Sequence, residues 1–129
     1  MRSTGSRSAD WEARPRWRLS RRGAIALGPG KADLLEAIAG TGSISAASRR
    51  LGMSYRRAWL LVSTMNRCFR RPLVATATWR GKGAWLTPEG VRALRLYRRI
   101  ETGSLKAMAT PLSELRSLLE PGRRGRIRS

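Results

Sequence analysis

Histidine is absent from the 129 residues, which removes imidazole acid–base catalysis and every histidine-containing metal site. Cysteine occurs once, at Cys68. No disulfide can therefore close within the chain, which fits a reducing cytoplasm, and beside Phe69 the thiol reads as a small buried apolar residue rather than a redox sensor. No apolar run approaches the roughly 18 to 20 residues of a membrane span. Ser20-Arg21-Arg22 has the look of a twin-arginine export signal, but the run after it is broken by Gly28-Pro29-Gly30, Lys31 and Asp33, so export is not expected. A phosphate-binding Gly-Lys-Ser/Thr motif is also missing and the acids are scattered. The chain reads neither as an enzyme nor as a direct oxyanion sensor, and no cofactor, metal or small-molecule site is expected.

Negative charge is the scarcest commodity. Eight acids face 27 basic residues, a formal net charge of +19, and this points to a polyanionic partner. Arginine dominates the basic set at 24 to three lysines, in part the imprint of a GC-rich coding sequence that also favours Ala and Gly. The distribution says more. Without residues 1–16 and 121–129 the chain keeps 19 basic residues against six acids, and from Ala37 to Pro88 there is no Asp or Glu at all among nine basic residues.

One compact domain with tails is the expectation at this length. Residues 1–16 read as a flexible basic arm. Trp17, Leu19, Ile25 and Leu27 alternate around Ser20-Arg21-Arg22-Gly23, a strand or short hairpin. Leu34, Leu35 and Ile38 share one face of a helix over Lys31–Ala39 that Gly40 is expected to stop. A second helix starts at Ser43 or Ser45, either of which can cap it, and ends at Leu51-Gly52. Ala46, Ala47 and Ser48 are small where a crossing helix must approach, and Gly52 permits the positive φ of a tight turn. Met53 plugs between the helices, Ser54 caps a third helix reaching about Arg70, and Ala58, Leu61, Val62, Met65 and Phe69 form its buried stripe.

The opposite face of that helix carries Tyr55, Arg56, Arg57, Trp59, Leu60, Ser63 and Arg67, mostly side chains that hydrogen-bond to base edges or phosphates. Trp59 and Leu60 fit packing against a neighbouring helix equally well, and Arg57 fits a solvated charge. Residues 73–78 and 84–86 read as two strands joined by Trp79-Arg80-Gly81-Lys82-Gly83, a hairpin wing whose Arg80 and Lys82 would meet a sugar-phosphate wall. Thr87-Pro88-Glu89 starts a helix carrying Leu94, Tyr97 and Ile100 to about Glu101. Thr102-Gly103-Ser104 weakens it, and Thr110-Pro111 kinks it or starts another. Leu105, Met108, Leu112, Leu115 and Leu119 then step by three and four, the seam of paired helices. A winged domain has little surface on which to hide that seam, so dimerisation is expected through Leu94, Tyr97, Leu105, Met108, Leu112, Leu115 and Leu119.

Leu34-Leu35-Glu36-Ala37-Ile38, Thr41-Gly42-Ser43-Ile44-Ser45, Leu51 through Trp59, Met65-Asn66, Gly81-Lys82-Gly83 and Leu86-Thr87-Pro88-Glu89-Gly90 together resemble the DNA-binding domain of ModE-type molybdate-responsive regulators. More distantly they resemble LysR-type regulators. The resemblance covers roughly Trp17 to Glu120 and implies a winged-helix dimer on a pseudo-palindromic promoter site. It does not extend to the family's oxyanion-binding domains, so molybdate sensing is not implied and a separate sensor protein would have to supply any such signal. The wing, with Gly81 and Gly83 alone around Lys82, is shorter than the family's loop.

The expected fold is mainly α with a small β-wing (α+β), a winged helix-turn-helix over residues 17–87, a dimerisation helix or helix pair over 88–120 and a basic tail over 121–129. The expected function is sequence-specific regulation of transcription by a cytoplasmic, nucleoid-associated homodimer on double-stranded DNA. Ser43, Ser45, Ser54, Tyr55, Arg56, Arg57, Trp59, Ser63, Arg67, Arg80 and Lys82 form the contact set. The alternative is an architectural nucleic-acid-binding protein whose tails supply most of the affinity.

Overall fold

The computed structural model describes residues 11–77 and 83–120. The arm before residue 11, the wing tip with Arg80 and Lys82, and the tail from 121 lie outside the described residues. Two compact units divide the chain: residues 16–101, and the segment before residue 16 together with residues from 102 onward.

The larger unit opens with an antiparallel hairpin, β1 (Leu19–Arg21) and β2 (Ala24–Leu27), paired Ser20 to Ile25 and Arg21 to Ala24 with an irregularity beside Leu19. Helix α1 (Pro29–Thr41) starts with proline in its first turn, where the missing N–H costs nothing. It runs past Gly40, the expected stop, because the left-handed cap falls at Gly42, whose N–H donates to the Ile38 carbonyl. Leu34, Leu35 and Ile38 are fully buried along it and make the centre of the core.

Helix α2 (Ile44–Leu51) and helix α3 (Tyr55–Cys68) follow, each with its own serine cap. Ala47 has no exposed surface, which lets α1 and α2 approach closely. The turn is made by Gly52 at φ 69°, and the Met53 amide returns to the Ser48 carbonyl at 2.9 Å. Ala58, Val62 and Met65 are the buried stripe of α3, with Leu61 and Phe69 half-buried against the same core; α3 ends at Cys68, two residues short of the expected end. Strands β3 (Val74–Thr76) and β4 (Ala84–Leu86) pair antiparallel, Val74 to Leu86, Ala75 to Trp85 and Thr76 to Ala84, as a sheet separate from the first. The architecture is a winged helix-turn-helix, mainly helical.

Helix α4 (Pro88–Ala107) is capped by the Thr87 hydroxyl, which accepts from the Gly90 amide at 3.0 Å and donates to the Pro72 carbonyl at 2.7 Å. It continues unbroken through Thr102-Gly103-Ser104, and the break falls at Met108, ahead of α5 (Ala109–Arg116). Two residues expected in the dimer seam belong instead to the core of the larger unit. Tyr97 is 2% exposed, its hydroxyl donating to the Trp17 carbonyl at 2.7 Å, and Leu94 is half-buried against the same cluster. The physical reason is that the face of α4 bearing Leu94 and Tyr97 covers its own domain, while Val91, Leu96 and Ile100 stay exposed. Burial, then Glu101, pushes the Tyr97 phenol above its ordinary value.

In the smaller unit Arg116 stacks over the Trp11 ring at 5.1 Å. Residues 11–16, expected as part of a flexible arm, are thus placed in the structure. Leu105, Met108, Leu115 and Leu119 are exposed, while Leu112 is half-buried.

Candidate nucleic-acid interface

Three of the four serines of the expected contact set, Ser43, Ser45 and Ser54, have structural duties. Ser43 accepts from the Ala46 amide and Ser54 from the Arg57 amide, both at 3.0 Å, so each caps the helix it precedes. Ser45 is not a cap; its hydroxyl accepts from the Arg49 guanidinium at 3.0 Å, one turn on, which leaves its own proton available. Capping fixes where α3 begins, and therefore which side chains stand in its first turn.

Those side chains are Tyr55, Arg56 and Arg57, all exposed. Arg67 is exposed further along, Ser63 is half-buried, and Leu60 on the same face is 59% exposed. Trp59 combines the two readings offered by the sequence: it is half-buried against the core and meets Tyr55 edge-on, ring centroids 6.3 Å apart at 82°. Tyr55 stays 52% exposed. The pair lines a cleft of about 510 Å³ shared with Ser43, Ser45, Thr76 and Ala84, bounded by α2, α3 and the base of the wing. Among the described residues its walls hold hydroxyls and apolar groups and no charged side chain.

Sequence reasoning did not single out what sets the wing against α3. Asn66 accepts from the Leu73 and Val74 amides at 2.9 and 3.2 Å, and donates to the Val74 carbonyl at 3.1 Å. The Ala84 amide donates to the Gly42 carbonyl at 2.9 Å, tying β4 to the turn before α2. Asn66 was legible only as part of the Met65-Asn66 resemblance, because its partners, Leu73 and the first residue of β3, lie seven and eight residues away, and helical periodicity does not report a bond from α3 to a following strand. Arg50, beside Gly40 at the end of α1, and Thr76 in the cleft are likewise contributions the pattern did not reveal.

Charge is segregated within the larger unit. Asp33, Glu36 and Glu101 all converge on Arg98, at 2.8, 2.7 and 3.0 Å. Burial works against the Arg98 charge, but the three carboxylates more than offset it and hold its pKa above the ordinary arginine value. These acids sit on α1 and α4, whereas α2, α3, β3 and β4 carry none. Burial pushes the Lys31 ammonium below its usual value; Cys68 acts in the opposite sense and Arg57 adds to the depression. Among the described residues no group of three or more acids or cysteines could hold a metal ion, and no helix is long and apolar enough to cross a membrane.

Residues 31–91 match the bacterial regulatory helix-turn-helix proteins of the lysR family. The molybdenum-pterin-binding protein MopB of Rhodobacter capsulatus is 43% identical over 86 residues, covering 65% of this chain and 32% of that protein. The DNA-binding transcriptional dual regulator ModE of Escherichia coli (strain K12) is 41% identical over 71 residues, covering 54% and 27%. The chain thus spans about a third or less of the length of these relatives. Among solved structures, the DNA-binding domain of CbnR, crystallised with DNA, superposes with a TM-score of 0.52 at 22% identity, covering 68% of this chain and 95% of that one. At that identity the likeness speaks for the fold.

Proposed function

We propose that residues 31–91, which match the lysR-family helix-turn-helix proteins and resemble part of ModE and MopB, form a DNA-binding winged helix-turn-helix, and that the chain is a transcriptional regulator acting as a homodimer on a pseudo-palindromic site in double-stranded DNA. Helix α3 enters the major groove with Tyr55, Arg56 and Arg57 against base edges or phosphates, and Ser63 and Arg67 follow along the groove wall. Ser45, with Arg49 behind it, donates to a phosphate, and Arg80 and Lys82 of the wing meet the flanking backbone. A second copy pairs through the apolar positions of α4 and α5 around Leu105, Met108, Leu112, Leu115 and Leu119, setting the two recognition helices about 34 Å apart.

The observation that carries this reading is the exposed, acid-free first turn of α3, fixed in register by the Ser54 cap. Selection of bound duplexes from random DNA with the full chain tests it. The expected product is two inverted half-sites with centres about 10 base pairs apart or a multiple of that. A flat sequence profile would overturn the reading in favour of architectural binding.

A further inference from the structure

Among the described residues, the cleft lined by Tyr55 and Trp59 has no charged side chain in its wall, although Arg56 and Arg57 follow Tyr55 directly on α3. A surface built only to attract phosphates would put its cations there. What lines the cleft instead is two aromatic rings, small apolar side chains and hydroxyls. Tyr55 is held rather than free: its ring meets Trp59 at 82°, and Trp59 is packed against the core. A rigid, half-exposed aromatic face at the start of a recognition helix has one apolar complement in the major groove. Among the four bases only thymine presents a methyl group there, on C5, and the other edges are donors and acceptors.

We infer that the Tyr55–Trp59 pair reads a thymine methyl group in each half-site, with Tyr55 in contact and Trp59 as the positioning residue behind it. The inference rests on the proposed binding of α3 in the major groove and adds the chemistry of one base position to it. It also adds an apolar readout to the first turn: beside whatever the arginines contact, the aromatic discriminates thymine from the bases that lack the methyl.

The test uses the full chain and the duplex it selects, with each thymine replaced in turn by deoxyuridine, which removes the methyl and leaves the pairing edge intact. One position per half-site is expected to lose affinity by about fourfold, the effect of exposing one buried methyl. Tyr55→Phe keeps the ring and should keep that penalty, whereas Tyr55→Ala should bind the thymine and deoxyuridine duplexes equally at that position. Tyr55 is exposed, so both variants are expected to fold, which circular dichroism checks. A specific duplex on which every replacement is silent overturns the inference and leaves the regulator reading standing, as does a penalty that persists in Tyr55→Ala. Failure to select any specific duplex brings down both.

Discussion

Gly90 is a glycine because Leu73 leaves no room for anything larger: a Cβ there would overlap the Leu73 carbonyl. Gly90→Ala should destabilise the domain by about 1–3 kcal/mol, the usual range for an overpacked core, and a lowered denaturation midpoint with an unchanged fold checks it. Tyr97 gives a pH signature. Its phenol is raised by burial, and a group whose folded pKa exceeds its unfolded value of 10.0 lends stability that is intact below that value. The contribution fades as pH climbs through the raised folded value. Urea midpoints measured from pH 9 upward should therefore fall more steeply in the wild type than in Tyr97→Phe. The variant also loses the bond to the Trp17 carbonyl, about 1 kcal/mol at neutral pH. At the proposed contact surface, Arg56→Ala should cost about 1–3 kcal/mol of binding if the guanidinium grips a base edge, and should relax preference at one position. A loss equal on specific and random duplexes would make Arg56 a phosphate contact instead.

Among elements, the join between α3 and the wing is the most exposed to a single change. One amide side chain, Asn66, satisfies two backbone donors and one acceptor there. Asn66→Ala leaves those groups unpaired, an expected loss of about 1–3 kcal/mol, and should weaken DNA binding beyond the loss of stability by loosening the wing. Hydrogen exchange at the Leu73 and Val74 amides would report the loosening directly. Helices α2 and α3 were legible in the sequence because their caps, turn glycine and small crossing residues are local signals. The end of α1 was misread by two residues, since Gly40 and Gly42 are both plausible stops and the choice follows from the turn into α2. The inner role of Tyr97 was illegible for a different reason. Its partner Trp17 lies 80 residues away, and helical spacing alone does not distinguish a face turned to its own domain from one turned to a second copy. Leu96 and Ile100, exposed on α4, leave that second face open.

At the scale of the whole molecule, the charge and the seam make separate predictions. Met108 is 51% exposed, so Met108→Glu should leave the fold intact while shifting the proposed dimer toward monomer in sedimentation experiments, and the advantage of a two-half-site duplex over a single half-site should be lost. The excess of arginine makes salt dependence steep for any duplex: with about 6 to 10 phosphates contacted, affinity should fall roughly 10³- to 10⁵-fold between 50 and 200 mM salt. Such a loss belongs to the backbone and carries no sequence information, which is why affinity at one salt concentration cannot distinguish a regulator from an architectural protein. The decisive measurement is the affinity of the full chain for its selected duplex and for a scrambled duplex of equal length, across that salt range. Two roughly parallel lines are predicted, separated by about 10³-fold or more throughout. Lines that coincide would contradict the claim that the first turn of α3 reads sequence.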